Sequence, residues 1–325
     1  MNEMALKPND FGTDQEVRWC PGCGDYAILK AMKTVLAEIG RSPDDIVFVA
    51  GIGCAARFPY YLSTYGFHTI HGRAAAVGTG VKLANPDLDV WVVGGDGDFM
   101  SIGGNHTLHA LRRNLDINLL LFNNAIYGLT KGQYSPTSPI GTRSPSSPGG
   151  SVEPPVNPVR FALGAGAKFV ARGADTLQTH LPEVLSRAHA NKGASFVEII
   201  QNCIVYADGA FGAINDRSES QEATLRLQHG KPMIFGKEND KGLVFNKDKC
   251  RFEVVIIADL ADKDEITIHD ERRLDRAMGL AHLEQPDFPV PLGVIYAVDA
   301  PEFIEARGFS GTKSQWGREQ LKALL

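Results

Sequence analysis

The sequence predicts an α/β fold built on a mostly parallel sheet flanked by helices. Two observations carry this expectation. Up to about residue 130, short apolar runs rich in β-formers alternate with helical patterns, and a glycine marks each junction, as βαβ units require. The same rhythm resumes after residue 158.

The elements follow in order. Ile28, Met32, Val35, Leu36 and Ile39 recur at helical spacing and form one apolar stripe, which Gly40 ends. Ile46 to Ala50 reads as a buried strand running into Gly51-Ile52-Gly53-Cys54. Ala74 to Ala84 is rich in small residues and reads as a helix in which Gly78 and Gly80 permit close packing, at some cost in propensity. Leu88 to Gly94 is the next strand, Asn105 to Arg113 the next helix, and Ile117 to Phe122 the strand that ends at Asn123-Asn124. Between Lys131 and Pro158 the texture changes, with 7 of the 18 prolines and much Ser, Thr and Gly; a loop this long inside a domain is either functional or a linker. Lys168 to Ala171, Thr176 to Asn191 and Ser195 to Gln201 then read as strand, helix and strand, the last leading to Cys203. From Ala207 to Lys249 the chain is polar and poorly periodic, the texture of an extension that covers a neighbour. The final segment reads as strands near Val254–Ile257 and Val294–Val298 around a charged helix, Asp270–Glu284.

Composition narrows the function. The chain has 325 residues, 43% hydrophobic and 22% charged, and Lys+Arg 33 against Asp+Glu 38 leaves a net charge of −5. That balance argues against nonspecific binding to nucleic acid or to an anionic membrane. Met1 to Asp10 holds no apolar stretch of signal length, and no apolar run approaches the ~20 residues of a membrane span, so a cytoplasmic location is expected. The five cysteines are too few and too unevenly spaced for a disulfide framework, and their number is odd.

Two motifs bear on chemistry. Gly95-Asp96-Gly97 closes one strand and Asn123-Asn124 the next, so an open parallel sheet brings both to its carboxyl edge, where ligands bind. A carboxylate and a carboxamide there suit Mg2+, which takes one or two protein oxygens and completes its shell with phosphate and water. Either half alone reads equally as a tight turn, with Asp96 as a helix N-cap; the pair in register points to a ligand. The second motif is Trp19-Cys20-Pro21-Gly22-Cys23-Gly24. Alone it leaves zinc, an iron–sulfur cluster and a redox dithiol open, and it lacks a second C-x-x-C. Cys54 and Cys203, both past strand ends, are candidates to complete it, although each by itself is equally a small buried hydrophobe. Cys250 has no partner at useful spacing.

The GDG turn followed by NN is similar to the thiamine-diphosphate motif. That resemblance implies Mg2+ bound by Asp96, the Asn124 side chain and the backbone carbonyl of Ile126, with Asn123 through Thr130 wrapping the diphosphate. The cofactor also bears on the cysteines. It attacks a 2-oxo acid, CO2 is lost, and an electron-rich enamine remains. A decarboxylase protonates that species, whereas an oxidoreductase removes two electrons, which a 4Fe–4S cluster accepts one at a time.

From Val17 to Thr137 the chain resembles the β subunit of the 2-oxoacid:ferredoxin oxidoreductases nearly continuously, and more loosely through Cys203 to about Asn246. The segments that carry this are Trp19 to Gly24, Gly51 to Cys54, His68 to Ala74, Gly94 to Asp98 and Tyr127 to Thr137. The resemblance implies a thiamine-diphosphate-binding fold with a C-terminal extension: residues 1–206 as the cofactor domain, including the 131–158 loop, and 207–325 as an extension at a subunit interface. It implies a 4Fe–4S cluster on Cys20, Cys23, Cys54 and Cys203. Cofactor contacts are implied for Gly51, Ile52, Gly53, Cys54, His71, Gly72, Gly95, Asp96, Gly97, Asp98, Asn124, Ile126, Tyr127, Gly128, Leu129 and Thr130. The implied reaction converts a 2-oxo acid, coenzyme A and oxidised ferredoxin into acyl-CoA, CO2 and reduced ferredoxin. The glutamate that activates thiamine and most of the coenzyme A site would lie on a partner α subunit, in an α2β2 assembly. Arg57 with Phe58-Pro59-Tyr60-Tyr61 resembles the 2-oxoglutarate-using members more than the pyruvate-specific ones, which would set Arg57 against the far carboxylate of the substrate. His71 is a candidate for the diphosphate or the reacting atoms. A non-oxidative thiamine decarboxylase or synthase, or pyruvate as substrate, remain the alternatives.

Overall fold

The computed structural model describes residues 6–216 and 218–308. The first half of the chain gives α1 (Asp25–Ile39), β1 (Ile46–Ala50), β2 (Tyr65–His68), α2 (Ala74–Ala84), β3 (Asp89–Gly95), α3 (Gly104–Arg113), β4 (Asn118–Asn123), and the short β5 (Ile126–Tyr127) and β6 (Gln133–Tyr134). Then come α4 (Pro158–Gly164), β7 (Phe169–Ala174), α5 (His180–Ala190), β8 (Ser195–Ile200), α6 (Gly212–Asn215), α7 (Ser220–Ala223) and β9 (Thr224–Arg226). The last elements are β10 (Ile234–Phe235), β11 (Lys241–Asn246), β12 (Arg251–Ile256), α8 (Leu274–Leu280), β13 (Val290–Ala297) and α9 (Phe303–Ala306).

Eight strands form the main sheet in the order β2-β1-β3-β4-β8-β7-β13-β9. All pairs from β2 to β7 are parallel, β13 runs antiparallel to β7, and β9 is parallel to β13. Every residue of β1, β4, β7 and β8 is buried, because helices cover both faces. Side chains alternate between two cores. Val47, Val49, Val92, Leu119 and Leu121 face one, while Phe48, Trp91, Val93, Leu120 and Phe122 face the other.

The expected helices and strands of the first 200 residues are present, with ends shifted by a few residues. Gly40 ends α1 in the left-handed region, φ 70°. At Gly78 a Cβ would sit 2.5 Å from Val92 Cγ2, so its absence lets α2 press onto β3. Gly80 has no atom within 4 Å of that position and plays no such part, contrary to expectation.

Residues after 206 depart from the unpatterned texture expected of them. β9 joins the main sheet, and β10, β11 and β12 form an antiparallel sheet of their own. β9 and β10, of three and two residues, are too short to show a period of two, and the six residues of β11 do not alternate between buried and exposed, which is why 207–249 reads as irregular. The expected helix Asp270–Glu284 is confined to Leu274–Leu280, because a turn from Asp270 to Arg273 precedes it and residues 282 and 283 close in tight turns. Leu225, Leu243, Phe252 and Leu280 share a core with Val47 and Leu119, so the extension packs on the same sheet as the strands that carry the motifs. The exposed edge strand β2 also lacks a sequence signal; it holds Gly66 because a Cβ there would come 2.8 Å from Pro59 Cβ. Among the described residues no helix is long and apolar enough to cross a membrane.

Candidate active site

The carboxyl ends of β1, β3, β4, β7 and β8 lie along one edge of the sheet and deliver Gly51, Asp96, Asn124, Asp175 and Cys203 to it. A cavity of about 550 Å³ opens there. It is lined by Ile52, Gly53, Cys54, His71, Gly95, Asp96, Gly97, Asp98, Asn124, Ile126, Tyr127, Gly128, Leu129 and Thr130, with Ala55 and Gln133 in addition. Of the cofactor contacts expected from the sequence, only Gly51 and Gly72 stand behind the wall.

Both support Asp98. A Cβ on Gly51 would lie 1.9 Å from Asp98 Oδ2, so glycine is what lets the carboxylate in. The Gly72 N–H donates to Asp98 Oδ1 at 2.7 Å, as do the Ile52 N–H at 3.2 Å and His71 Nδ1 at 2.7 Å. One oxygen thus ties the loop after β1 to the turn before α2. His71 keeps its ring 35% exposed at the cavity. Burial pushes the Asp98 carboxyl upward against these donors. Its residue begins a π-helical turn, Asp98–Ile102, with Ser101 outside helical geometry, the kind of irregularity found at functional positions.

Asp96 is 1% exposed. Burial raises its carboxyl, and the hydroxyls of Ser135 and Thr137 with the Asn124 backbone oppose the rise. Thr137 Oγ1 lies 2.8 Å from Asp96 Oδ2 and 2.9 Å from Asn123 Oδ1, so its single hydrogen serves either acceptor. Behind it, Asn123 Nδ2 donates to Glu198 Oε1 at 2.7 Å, and Glu198 Oε2 accepts from buried Arg172 Nε at 2.6 Å. Arg172 in turn reaches the carbonyl of Pro291 on β13. The NN turn is therefore anchored through a buried ion pair to a strand contributed by the C-terminal part of the chain. Removing one member of such a pair costs ~3–5 kcal/mol. Ala125 makes the turn at φ 56°. Gly97 is required by Tyr127: a Cβ would meet its ring at 2.1 Å, and the Tyr127 hydroxyl donates to the Gly97 carbonyl at 3.2 Å.

The 131–158 segment is ordered by its own hydrogen bonds. β6 pairs with β5, Ser138 Oγ donates to the Ala125 carbonyl at 2.6 Å, and Gly141 and Ser151 close the far end. Its first part is a strap on the NN turn.

Four cysteines gather beside the cavity. Cys54 and Cys203 Sγ lie 3.6 and 3.7 Å from where a Cβ on Gly128 would be, so glycine leaves room between sulfurs and cavity wall. Cys23 feels the charge of Cys54 and Cys203, and Cys54 that of Cys203 and Cys20. Trp19 Nε1 donates to the Cys54 carbonyl at 2.8 Å and locks the C-x-x-C turn to the loop after β1. Burial pushes the Cys54 thiol up to about 12 and the Cys23 thiol higher still. Asp25 beneath them is 1% exposed; burial raises it to about 7 against the Cys23 thiol, and no nitrogen or hydroxyl donor reaches either oxygen. Cys250 is exposed on the β11–β12 turn and stands apart.

These donor sets fit the groups expected. A buried carboxylate beside a carboxamide and a backbone carbonyl is an oxygen set for a hard dication, and Gly53 (φ 134°), with no atom within 4 Å of a Cβ, leaves open space at the cavity wall. Among the described residues no three His, Cys, Asp or Glu side chains converge as ligands of a single metal ion. Four thiols on one side of the cavity are a soft donor set, of the kind that holds zinc or an iron–sulfur cluster. Arg57 does not line the cavity; its Nε donates to Tyr61 Oη at 3.2 Å, and its charge lowers the Cys54 thiol slightly. Glu198, Arg172, Asp25, Asp175 and Gln201 belong to the site without a sequence signal of their own, since each acts through a neighbour brought in by the fold, and Thr137 closes the Tyr127 to Thr137 segment with no contact assigned to it from the sequence.

Residues 51–199 match the family model for the thiamine pyrophosphate enzyme C-terminal TPP binding domain. The chain is 49% identical over 307 residues to the 2-oxoglutarate oxidoreductase subunit KorB of Mycobacterium tuberculosis, covering 94% of this chain and 81% of that one. It is 40% identical over 230 residues to the 2-oxoglutarate synthase subunit KorB of Methanocaldococcus jannaschii, covering 70% and 85%. Among solved structures it resembles the 2-oxoglutarate:ferredoxin oxidoreductase from Magnetococcus marinus, solved with 2-oxoglutarate, coenzyme A and succinyl-CoA bound, with TM-score 0.76, 31% identity, and 99% and 97% of the two chains covered.

Proposed function

Since the chain belongs to the β subunits of the 2-oxoacid:ferredoxin oxidoreductases, we propose that its site oxidatively decarboxylates 2-oxoglutarate to succinyl-CoA with coenzyme A and ferredoxin, the reverse CO2-fixing direction using the same groups. The observation that carries this reading is that Cys54 lines the same cavity as Asp96 and Asn124. An electron-yielding centre and an electron-accepting sulfur then share one wall. A non-oxidative decarboxylase would leave the four thiols without a task.

Thiamine diphosphate, when bound, supplies the carbanion that cleaves the bond next to the 2-oxo group. The residues of this chain bind and orient around it. Asp96, Asn124 and the Ile126 carbonyl would hold Mg2+, and the backbone from Tyr127 to Thr130 would receive the diphosphate. Asp98 positions His71 and the Gly51–Gly53 loop, and Thr137 keeps a hydrogen beside Asp96. Cys20, Cys23, Cys54 and Cys203 would hold the 4Fe–4S cluster. Arg57 is assigned to the far carboxylate of the substrate.

We assign residues 1–206 as the cofactor domain and 207–325 as an extension serving a subunit interface; residues 1–5, 217 and 309–325 lie outside the described part. The α subunit is proposed to bring the activating glutamate and most of the coenzyme A site, in an α2β2 assembly. Exposed apolar side chains support a covering partner: Ile52 and Leu129 line the cavity at 37% and 49% exposure, and Ile70 beside His71 is 72% exposed. The five free thiols accord with a cytoplasmic location.

The test is to purify the chain anaerobically with its partner and to measure iron, dithionite-bleachable visible absorbance, and CO2 release coupled to ferredoxin reduction. 2-Oxoglutarate should outrun pyruvate and 2-oxobutyrate. CO2 release without ferredoxin reduction overturns the oxidative reading, and faster turnover of pyruvate overturns the substrate.

A further inference from the structure

Resting on the iron–sulfur reading above, we infer that Gln201 is a positioning residue that sets the reduction potential of the cluster by donating its side-chain N–H to Cys23 Sγ. Gln201 stands one residue past β8 and is 1% exposed. Its Nε2 lies 2.7 Å from the Asn202 carbonyl and 3.2 Å from Cys23 Sγ. A carbonyl only accepts, so the amide is fixed with nitrogen on that side, and its second hydrogen faces the sulfur. The flipped amide would set oxygen against oxygen.

The cost of this orientation argues for the sulfur. Gln201 Oε1 is buried with no hydrogen-bond partner. Leaving a buried acceptor bare costs ~1–3 kcal/mol. An amide serving packing alone would be satisfied at both ends. Here both hydrogens are engaged and the oxygen is not, which is the arrangement expected where the N–H toward the sulfur is the useful group.

The backbone holds the amide in place. Gln201 N–H donates to the Asn123 carbonyl at 2.9 Å, and the Asn202 carbonyl also accepts from Gly24 N at 3.3 Å. Gly24 is glycine because a Cβ would lie 1.8 Å from Asp175 Oδ2 and 3.0 Å from Gln201 Cγ. Residue 201 therefore stands between the NN turn and the C-x-x-C turn, bonded to both. A hydrogen bond to a ligating thiolate stabilises the more negative, reduced cluster and raises its potential.

The experiment uses the complex with its partner subunit, purified anaerobically. Gln201→Met keeps length and apolar volume and removes the donor. The expected result is about a tenfold loss in the equilibrium constant for one-electron reduction, a potential more negative by about 59 mV, at unchanged iron content. In parallel, protein carrying 15N in glutamine side-chain amides should give a nitrogen coupling to the reduced cluster by pulsed EPR in the wild type, absent in Gln201→Met. An unchanged potential on an intact cluster overturns the proposal. So does a wild-type cluster with no amide coupling, which decides the matter even if the variant fails to assemble. Wild-type complex without iron removes the cluster reading itself, and iron analysis distinguishes that failure from the others.

Discussion

In the pocket around Asp96 each carboxylate has donors: Asp98 Oδ1 accepts three while its Oδ2 is bare, and Asp96 faces the Thr137 hydroxyl and the Asn124 backbone. In the sulfur site next to it, Asp25 has no donor but the Cys23 thiol, and Oδ1 of Asp175 and Oε1 of Gln201 have no partner. The two sites share Cys54 yet are built on different terms. The pocket is held mainly by the protein's own hydrogen bonds, with one bare oxygen on Asp98. The sulfur site carries buried groups that the chain alone leaves unsatisfied, so its stability depends on what the thiols hold.

The sharpest way to break this comparison is Cys54→Ser, made in the complex with its partner. Cys54 lines the cavity and belongs to the thiol group, so a single ligand change probes both. Iron and ferredoxin-coupled turnover should fall to background while thiamine diphosphate binding persists. Parallel loss of thiamine binding, measured by calorimetry, would mean that the pocket is not shaped independently.

Thr137→Val should act in the opposite sense. It keeps the volume and removes the hydroxyl beside Asp96. Groups that orient a metal ligand contribute roughly 10–100-fold in affinity, and the apparent affinity for Mg2+ and thiamine diphosphate should weaken by that order with iron content unchanged. An effect on iron with none on thiamine would invert the assignment of the two sites.

Arg57→Ala comes next in size. The side chain leans on Tyr61 and lies near Cys54 without lining the cavity, so it sits between the two regions. A contact to the substrate's far carboxylate would show as a roughly tenfold or larger rise in KM for 2-oxoglutarate, with 2-oxobutyrate little changed. Equal effects on both substrates remove the carboxylate role and give Arg57 to the sulfur site.

What could be read in the sequence follows the same division. The GDG and NN turns are legible because each sits at the end of a buried or nearly buried strand, where apolar runs and glycines leave a strong local pattern. Fourteen expected contacts line one cavity as a result. The parallel sheet makes Cys54 and Cys203 legible as candidates to join the C-x-x-C pair, and the family resemblance makes the four a set. Arg172 and Glu198 are not, because a charged residue inside a buried strand reads as an interruption until its partner across the sheet is known; here that partner lies 26 residues away in sequence. Gln201 and Asp175 escape for a similar reason, as their meaning lies in which neighbour they face. The short strands after residue 206 lack the length to show a period, and β13 is read as a strand but not as the antiparallel neighbour of β7.

The smallest effect tests the unsatisfied side of the comparison directly. Asp175 is 3% exposed, accepts the Asn202 N–H on Oδ2 at 2.9 Å, and leaves Oδ1 bare. Burial pushes its carboxyl above the ordinary range. A carboxyl raised by folding holds its proton more tightly in the folded state. Stability therefore falls as pH rises from the unfolded value, about 4, through the folded one, and the deficit is complete above it. Asp175→Asn keeps the acceptor for Asn202, puts a donor where Oδ1 is bare, removes a charge that Asp25 feels, and does not titrate. The variant should resist urea better at neutral pH by roughly 1 kcal/mol, and the advantage should vanish below about pH 4. An advantage independent of pH would trace the gain to the new donor rather than to a buried charge. A variant less stable at neutral pH would mean that the carboxylate already has its counterpart, and the contrast between the two sites would then rest on Asp25 and Gln201.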